Sequence, residues 1–205
     1  MRAAVGDVVP PGPEPDSADA GLERALRAAR DGDESAFAVL YRCLQPRLLR
    51  YAFALVGSEA EDVTAETWLH VARGIRGFVG DVDGFRGWVT TICRNRSIDF
   101  VRRRGRRPTD PVDTAALADL PDGQDASEEA LGAIATRRAI ARILALPEAE
   151  AEAVLLRAVV GLDGPTAARV LGKRSGAVRV AAHRGLRRLA QVLEDERTAA
   201  GGGDA

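Results

Sequence analysis

Residues 109–130 of this 205-residue chain contain seven carboxylates and neither Arg nor Lys. Two prolines and a glycine interrupt the same stretch, so it cannot hold a packed core, and we expect a flexible, self-repelling linker. Residues 22–108 and residues 131–197 each carry a net charge of +5, although the whole chain carries only −1. The sequence therefore predicts two separate modules joined by an acidic linker rather than one continuous domain.

Two basic modules around an acidic linker are typical of a protein that binds nucleic acid. The pattern is equally consistent with two solvated helical domains and a disordered spacer, and charge alone does not separate these interpretations. Residues 1–21 are rich in Pro and Asp, and residues 198–205 are rich in Gly. We expect a disordered N-terminal extension and a disordered tail at these two ends.

Composition excludes several classes of protein. No stretch approaches the ~18 apolar residues of a membrane-spanning helix, and residues 1–20 lack the apolar core of a secretory signal, so we expect a cytoplasmic protein without membrane insertion. Cys43 and Cys93 both lie in apolar-periodic segments, which excludes a disulfide framework or a Cys-rich zinc site. The two histidines, His70 and His183, are too isolated for a metal centre. We predict no metal, no cofactor and no catalytic residues.

The first module is predicted to be a helical bundle. Ala and Leu outnumber β-branched and aromatic residues, which favours helix. After a segment at about Leu22–Asp31, apolar residues recur at steps of three and four, which is typical of one buried helix face. These residues are Phe37, Leu40, Tyr41, Leu44, Leu48, Tyr51, Ala52 and Leu55.

A second helix is expected over residues 58–76, with Ser58 as its cap and an apolar face that includes Trp68 and Leu69. Its acidic residues fall early, where they suit the positive N-terminal end of a helix. Capping and solvation alone are a sufficient explanation of these acids, and a partner surface is the alternative.

A third helix is expected from a cap at Asp83 to about Arg104, with Phe85 and Trp88 in its apolar stripe. Its outer positions are basic, and they continue into the run RRRGRR at residues 102–107. Such a helix can neutralise phosphates and offer aromatic rings for base stacking. The two aromatic residues are also well explained as core, whereas the arginine run is not.

The second module is predicted to contain a helix-turn-helix. Helices are expected over residues 127–146 and 147–160, followed by a short helix at 165–171, a turn at Gly172 and a longer helix at 175–193. Four residues of that last helix are expected to face inward, namely Val178, Ala182, Leu186 and Leu189. Its outer face is basic, which favours DNA over a protein-only scaffold.

Four stretches, in order, resemble the RNA polymerase sigma factors of the sigma-70 family, in the small extracytoplasmic-function (ECF) class. AFAVLYRCLQPRLLRYAFALVG resembles the family's opening helix, and EDVTAETWLHV resembles its motif E-D-L-V-Q-E-T-F-L-R-V. GFRGWVTTICRNRSIDFVRRR resembles F-R-A-W-L-x-x-I-A-R-N-x-x-I-D-x-x-R-R. LPEAEAEAVLLRAVVGLDGPTAARVLGKRSGAVRVAAHRGLRRL resembles the family's C-terminal helix-turn-helix.

The resemblance implies a sigma factor with two small helical domains that binds core RNA polymerase at its β′ clamp helices and its β flap. The polar contacts to the clamp helices would be Asp62, Glu66 and Thr67. Ala65 stands where the family motif has Gln, which removes one amide contact. An anti-sigma factor is expected as a further partner, from the family alone.

The resemblance also implies two contacts with promoter DNA. The first module would melt and read the −10 element, with the loop at residues 77–84 and with Arg94, Asn95, Arg96, Arg102 and Arg103. The helix-turn-helix would read the −35 element as duplex, in the major groove. Its DNA-binding residues would be Arg174, Ser175, Arg179, His183, Arg184 and Arg187.

Two other functions remain open. A stand-alone helix-turn-helix regulator should bind duplex DNA as a symmetric dimer, but no dimerisation helix is evident after the recognition helix. A helical protein-binding adaptor would not need the arginine run.

Overall fold

The computed structural model describes residues 15–105 and 126–201, and the regular elements in these ranges are all helical. Their bounds are α1 Pro15–Arg30, α2 Glu34–Val56, α3 Ala60–Gly74, α4 Val82–Gly105, α5 Ala126–Leu144, α6 Glu148–Val154, α7 Gly164–Leu171 and α8 Ser175–Gly201. Short 3₁₀ turns follow α2 and α3, and a π-helical turn, Leu155–Val160, extends α6. The predicted all-α fold is confirmed.

The helices extend past the predicted module boundaries. α1 begins at Pro15, so residues 15–21 of the predicted disordered extension are helical. α5 begins at Ala126, inside the predicted linker, and α8 runs to Gly201, inside the predicted tail. The rest of the predicted linker, residues 109–125, lies outside the described residues.

α1–α4 form the N-terminal module around an apolar core. Leu40 and Leu48 of α2 are almost fully buried, as the spacing of α2 predicts, and they share this core with Leu26 of α1 and Phe85 of α4. Tyr41 was expected on the same buried face, but it is 40% exposed because it follows Leu40 by one residue and lies at the edge of that face. The buried face of α2 is therefore narrower than the positions of its apolar residues predict.

The helix starts depend on carboxylates that sequence spacing does not identify. Ser58 does not cap α3, because α2 and α3 are joined by a 3₁₀ turn and α3 begins at Ala60. Asp81, not Asp83, caps α4, since its Oδ1 accepts a hydrogen bond from the Gly84 N–H at 2.7 Å. Glu23 of α1 accepts from the Val82 N–H at 2.8 Å, so α1 caps the start of α4 from across the bundle.

α5–α8 form the C-terminal module, and α7, Gly172 and α8 make the predicted helix-turn-helix. Gly172 adopts a left-handed conformation (φ 62°) that lets the chain turn between the two helices. Val178, Ala182, Gly185 and Leu189 form the inner seam of α8. Leu186, predicted to lie inside, is 49% exposed because the seam passes through Gly185 instead. A Cβ at Gly185 would lie 2.7 Å from Val154, so α6 and α8 approach closely there.

The start of α7 gives a stability prediction. Asp163 accepts a hydrogen bond from the Thr166 N–H at 2.8 Å, and this cap satisfies a donor that the helix leaves free. Asp163→Ala should lower the free energy of unfolding by about 1 kcal/mol, whereas Asp163→Asn should keep most of the stabilisation that the cap provides. Urea denaturation measures both variants, and equal stability of Asp163→Ala and the parent would exclude a capping role.

The two modules pack against each other, which the sequence did not predict. α7 lies on α4, and the π-helical turn lies on α2. A Cβ at Gly87 of α4 would lie 2.5 Å from Cγ2 of Thr166, and Arg47 of α2 donates to the Val160 carbonyl at 3.5 Å. The apolar residues of both modules consequently belong to one continuous core cluster.

Candidate nucleic-acid interface

The predicted polymerase contacts do not all lie on the surface of α3. Asp62 and Glu66 are exposed one turn apart on the same helix face. Thr67 is completely buried, and its hydroxyl donates to the Val63 carbonyl of its own helix at 2.7 Å. Thr67 is therefore not available to a partner, and its predicted role as a contact residue is wrong.

A groove of about 820 Å³ runs between α2 and α3 beside these acids. Tyr41, Leu69 and Ala65 line it. Trp68 also lines the groove, and its indole N–H donates a hydrogen bond to Gln45 Oε1 at 2.6 Å. Leu69 is 58% exposed, so an apolar surface lies next to the carboxylates. Sequence reasoning missed this groove because it placed Tyr41 and Leu69 on buried faces.

The predicted −10 residues of α4 separate into two groups. At about 100° per residue, Asn95, Arg96, Arg102 and Arg103 share one broad side of the helix. Asn95 and the two later arginines are exposed, whereas Arg96 Nη1 binds Glu66 Oε2 at 2.8 Å. This ion pair connects the predicted DNA-binding side of α4 directly to the predicted polymerase contact on α3.

Arg94 lies apart from that group and faces the C-terminal module. Its Nη2 binds Glu152 Oε1 of α6 at 2.6 Å, and Lys173, in the turn of the helix-turn-helix, binds Glu152 Oε2 at 3.0 Å. Partial burial alone would raise the pKa of Glu152, but the hydrogen bonds from Arg94 and Lys173 hold it below its ordinary value. Glu152 is therefore a carboxylate that stays ionised between two cations from different modules.

The aromatic residues near the start of α4 are structural. Phe85 is buried, and Trp88 stacks on Phe78 of the preceding loop with ring centroids 5.2 Å apart. The same loop exposes Val79 at its tip. The core interpretation of Phe85 and Trp88 is therefore supported, and Val79 is the apolar side chain that this loop presents to solvent.

The predicted −35 residues are all exposed around the start and outer face of α8. His183, Arg184 and Arg187 point away from the Val178–Ala182 seam, while Arg174 precedes the helix and Ser175 begins it. Farther along, Arg188 Nε lies 3.4 Å from the nearly buried carboxylate of Glu150. The outer surface of α8 can thus place several cations in one groove of duplex DNA.

Other site chemistry is not evident in the two described ranges. They contain no group of three or more His, Cys, Asp or Glu side chains placed to hold a metal ion. Burial raises the pKa of the Cys93 thiol to about 11, which keeps it protonated near neutral pH. No helix within residues 15–105 or 126–201 is long and apolar enough to cross a membrane.

Comparison with known families places both modules. Residues 40–107 match the model of sigma-70 region 2, and residues 136–189 match that of sigma-70, region 4. The ECF RNA polymerase sigma factor BldN of Streptomyces coelicolor is 30% identical over 187 residues, which cover 90% of this chain and 70% of BldN. This chain belongs to the ECF sigma factors of the sigma-70 family. The resemblance found in the four sequence stretches is confirmed, and the sigma factor directs promoter-specific transcription initiation.

Further relatives agree with this family. The sigma factor is 31% identical over 190 residues to the ECF RNA polymerase sigma factor SigD of Mycobacterium tuberculosis, covering 88% of this chain and 85% of SigD. The solved structure of the sigma factor RpoE in complex with the anti-sigma factor NepR from Bartonella quintana gives a TM-score of 0.60 at 20% identity. That likeness covers 77% of this chain and 96% of the other, and it shows the fold alone.

Proposed function

We propose that the two modules of the sigma factor divide promoter recognition, with α1–α4 acting at the −10 element and α5–α8 at the −35 element. The observation that carries this division is the helix-turn-helix. Its second helix, α8, packs on the module through buried apolar residues and exposes a basic face to solvent. A recognition helix of this kind reads base edges in the major groove of intact duplex. The sigma factor acts in the cytoplasm as a non-catalytic subunit, and polymerisation belongs to core RNA polymerase.

The N-terminal module uses α3 to bind the β′ clamp helices. Asp62 and Glu66 supply the charged contacts, and the groove lined by Tyr41, Ala65 and Leu69 supplies apolar area. Carboxylates beside an apolar groove suit a basic, amphipathic partner helix. The β flap binds the C-terminal module, and an anti-sigma factor competes with core polymerase for the free sigma factor.

The opened −10 strand binds the side of α4 that carries Asn95, Arg96, Arg102 and Arg103. The two exposed arginines near the end of α4 contact phosphates, because their charges are unpaired with acids in the described structure. The loop that precedes α4 exposes Val79 and offers an apolar surface to an extruded base.

Charge reversal on α3 tests the polymerase contact. Glu66→Lys should weaken binding to core polymerase by roughly fivefold, or about 1 kcal/mol, because it replaces an attraction by a repulsion at an exposed site. Glu194→Lys, on the exposed end of α8, makes the same charge change away from α3 and should lower the affinity much less. Competition against a labelled sigma factor measures both, with circular dichroism to verify folding. An equal affinity of the two variants would exclude the proposed clamp contact.

A further inference from the structure

Two polar contacts connect α1 to the first turn of α4. Glu23 Oε1 accepts a hydrogen bond from the Val82 N–H at 2.8 Å, and Asp19 Oδ1 binds Arg86 Nη2 at 2.7 Å. The two acids are four residues apart on α1, and their two partners are four residues apart on α4, so the contacts follow one another by about one helical turn on both helices. α1 therefore runs antiparallel to the start of α4 and holds it at two points.

The start of α4 already has local partners for the same purpose. Asp81 caps the helix, since its Oδ1 accepts from the Gly84 N–H at 2.7 Å. Asp83 binds Arg86 at 2.9 Å within the first turn. With these local contacts in place, the main addition from Glu23 is a fixed position of the start of α4 relative to α1.

The start of α4 is also one end of the loop that exposes Val79. Phe78 fixes the other end, because its ring stacks on Trp88 with centroids 5.2 Å apart. Between Phe78 and Val82 lie only residues 79–81, and Val79 is 86% exposed. A short loop that is anchored at both ends thus presents an apolar side chain to solvent.

On the basis of the proposed function, we infer that Glu23 is a positioning residue for −10 recognition. Its carboxylate holds the Val82 end of the loop on α1, so that Val79 meets an extruded base without further ordering of the loop. A binding surface that is ordered in advance does not lose affinity to that ordering. Glu23 acts through the loop and does not itself contact DNA.

Loss of this bond should weaken −10 recognition selectively. A loop that holds its binding geometry only part of the time loses affinity in proportion to that fraction. The proposed polymerase contact on α3 and the proposed −35 contact on α8 do not use this loop. Both should therefore be unchanged when the bond to Val82 is removed.

Three substitutions of Glu23 separate the bond from the charge. Glu23→Ala removes both, and Glu23→Asp keeps the charge on a side chain that is one methylene shorter. Glu23→Gln removes the charge but keeps an oxygen at the same reach that can accept from the Val82 N–H. The alanine and aspartate variants should lose the bond, whereas the glutamine variant should retain it.

Binding of holoenzyme to single-stranded −10 oligonucleotides measures the effect. The oligonucleotides carry the −10 element of a promoter that the parent protein transcribes, or single-base variants of it, and fluorescence anisotropy gives the preference between them. Glu23→Ala and Glu23→Asp should reduce this preference by about fivefold, and Glu23→Gln should retain most of it. Affinity for core polymerase, measured in parallel, should be equal in all four proteins.

A variant inside the loop provides an independent measurement. Gly80 has a φ of 152°, and a Cβ there would lie 2.9 Å from Cζ of Phe78, so Gly80→Ala must shift the loop. Because Gly80 is exposed, the variant should fold and bind core polymerase normally. It should nevertheless show the same selective loss of −10 preference as Glu23→Asp.

The outcomes separate the inference from the proposed function. Full −10 preference in Glu23→Asp or in Gly80→Ala would overturn the inference, and so would a loss in Glu23→Gln as large as that in Glu23→Asp. A parent holoenzyme that shows no preference among −10 oligonucleotides would overturn the proposed function instead.

Discussion

Removing ten residues from the segment between the two modules should abolish transcription from a promoter of normal spacing. Twenty residues separate Gly105, at the end of α4, from Ala126, at the start of α5. Fully extended, they span roughly 65 Å, and ten residues would span only about half of that at ~3.3 Å each. Two turns of duplex measure about 68 Å at roughly 34 Å per turn, which the full segment nearly spans by itself, whereas the shortened segment covers only about half of that distance.

The control separates the length of this segment from its charge. Replacing the same ten residues by a Gly/Ser stretch of equal length should preserve most of the activity, because a flexible chain of that length still spans the distance. Run-off transcription with core polymerase measures both variants. Full activity of the shortened protein would contradict simultaneous contact with two promoter elements.

Substitutions along α8 should separate reading of bases from binding of phosphates. Arg179 lies in the second turn of α8, and Arg187 follows eight residues later, roughly 12 Å along the helix axis. In a helix-turn-helix the first turns of the recognition helix meet the base edges. Arg179→Ala should therefore cost about 1–3 kcal/mol at particular base positions and relax the sequence preference there.

Arg187→Ala is the matched variant at a second exposed arginine of the same helix. It should weaken binding evenly across −35 sequences and lower the slope of log affinity against log salt by about one. Binding of holoenzyme to a set of −35 variants at several salt concentrations measures both effects. The reverse assignment, with base-specific loss in Arg187→Ala, would mean that α8 docks in a different register.

Local patterns in the sequence were sufficient to predict the helices. The steps of three and four through Leu40, Leu44 and Leu48 define one buried face of α2, and glycines at Gly161 and Gly172 end the helices before and within the helix-turn-helix. These features depend on residues close together in the sequence, so periodicity and capping preferences identify them.

The corrected residues show where local reasoning is insufficient. Thr67 follows Val63 by four residues, and that spacing places it on the buried seam of α3, although motif resemblance suggested a surface role. Glu23 caps α4 from 59 residues away, and no spacing rule connects it to Val82. A residue's partner across the bundle depends on tertiary packing, which sequence periodicity does not specify.

The contact between modules was missed for the same reason. Arg94 and Glu152 are 58 residues apart, and the resemblance to the family assigns Arg94 to promoter DNA rather than to a contact with the other module. The acidic linker suggested separation of the modules, yet the described residues on either side of it form one core cluster. A buried glycine such as Gly87 indicates that another part of the chain packs closely on its helix, but the sequence around it does not identify which element this is.

The central claim is that core polymerase converts a weak DNA binder into a promoter-specific one. Each module alone should bury only about 600–1,000 Å² on DNA, and Arg94, one of the predicted −10 residues, is paired with Glu152 of the C-terminal module. We also expect residues 109–130, with seven carboxylates and neither Arg nor Lys, to compete with phosphates for the basic surfaces.

Fluorescence anisotropy with a labelled promoter duplex, near physiological salt and with or without core polymerase, measures this conversion most directly. We expect weak, strongly salt-dependent binding by the free sigma factor, and tight binding that distinguishes promoter from scrambled duplex only when core polymerase is present. Tight, sequence-specific binding by the free chain would contradict the account and indicate a stand-alone regulator.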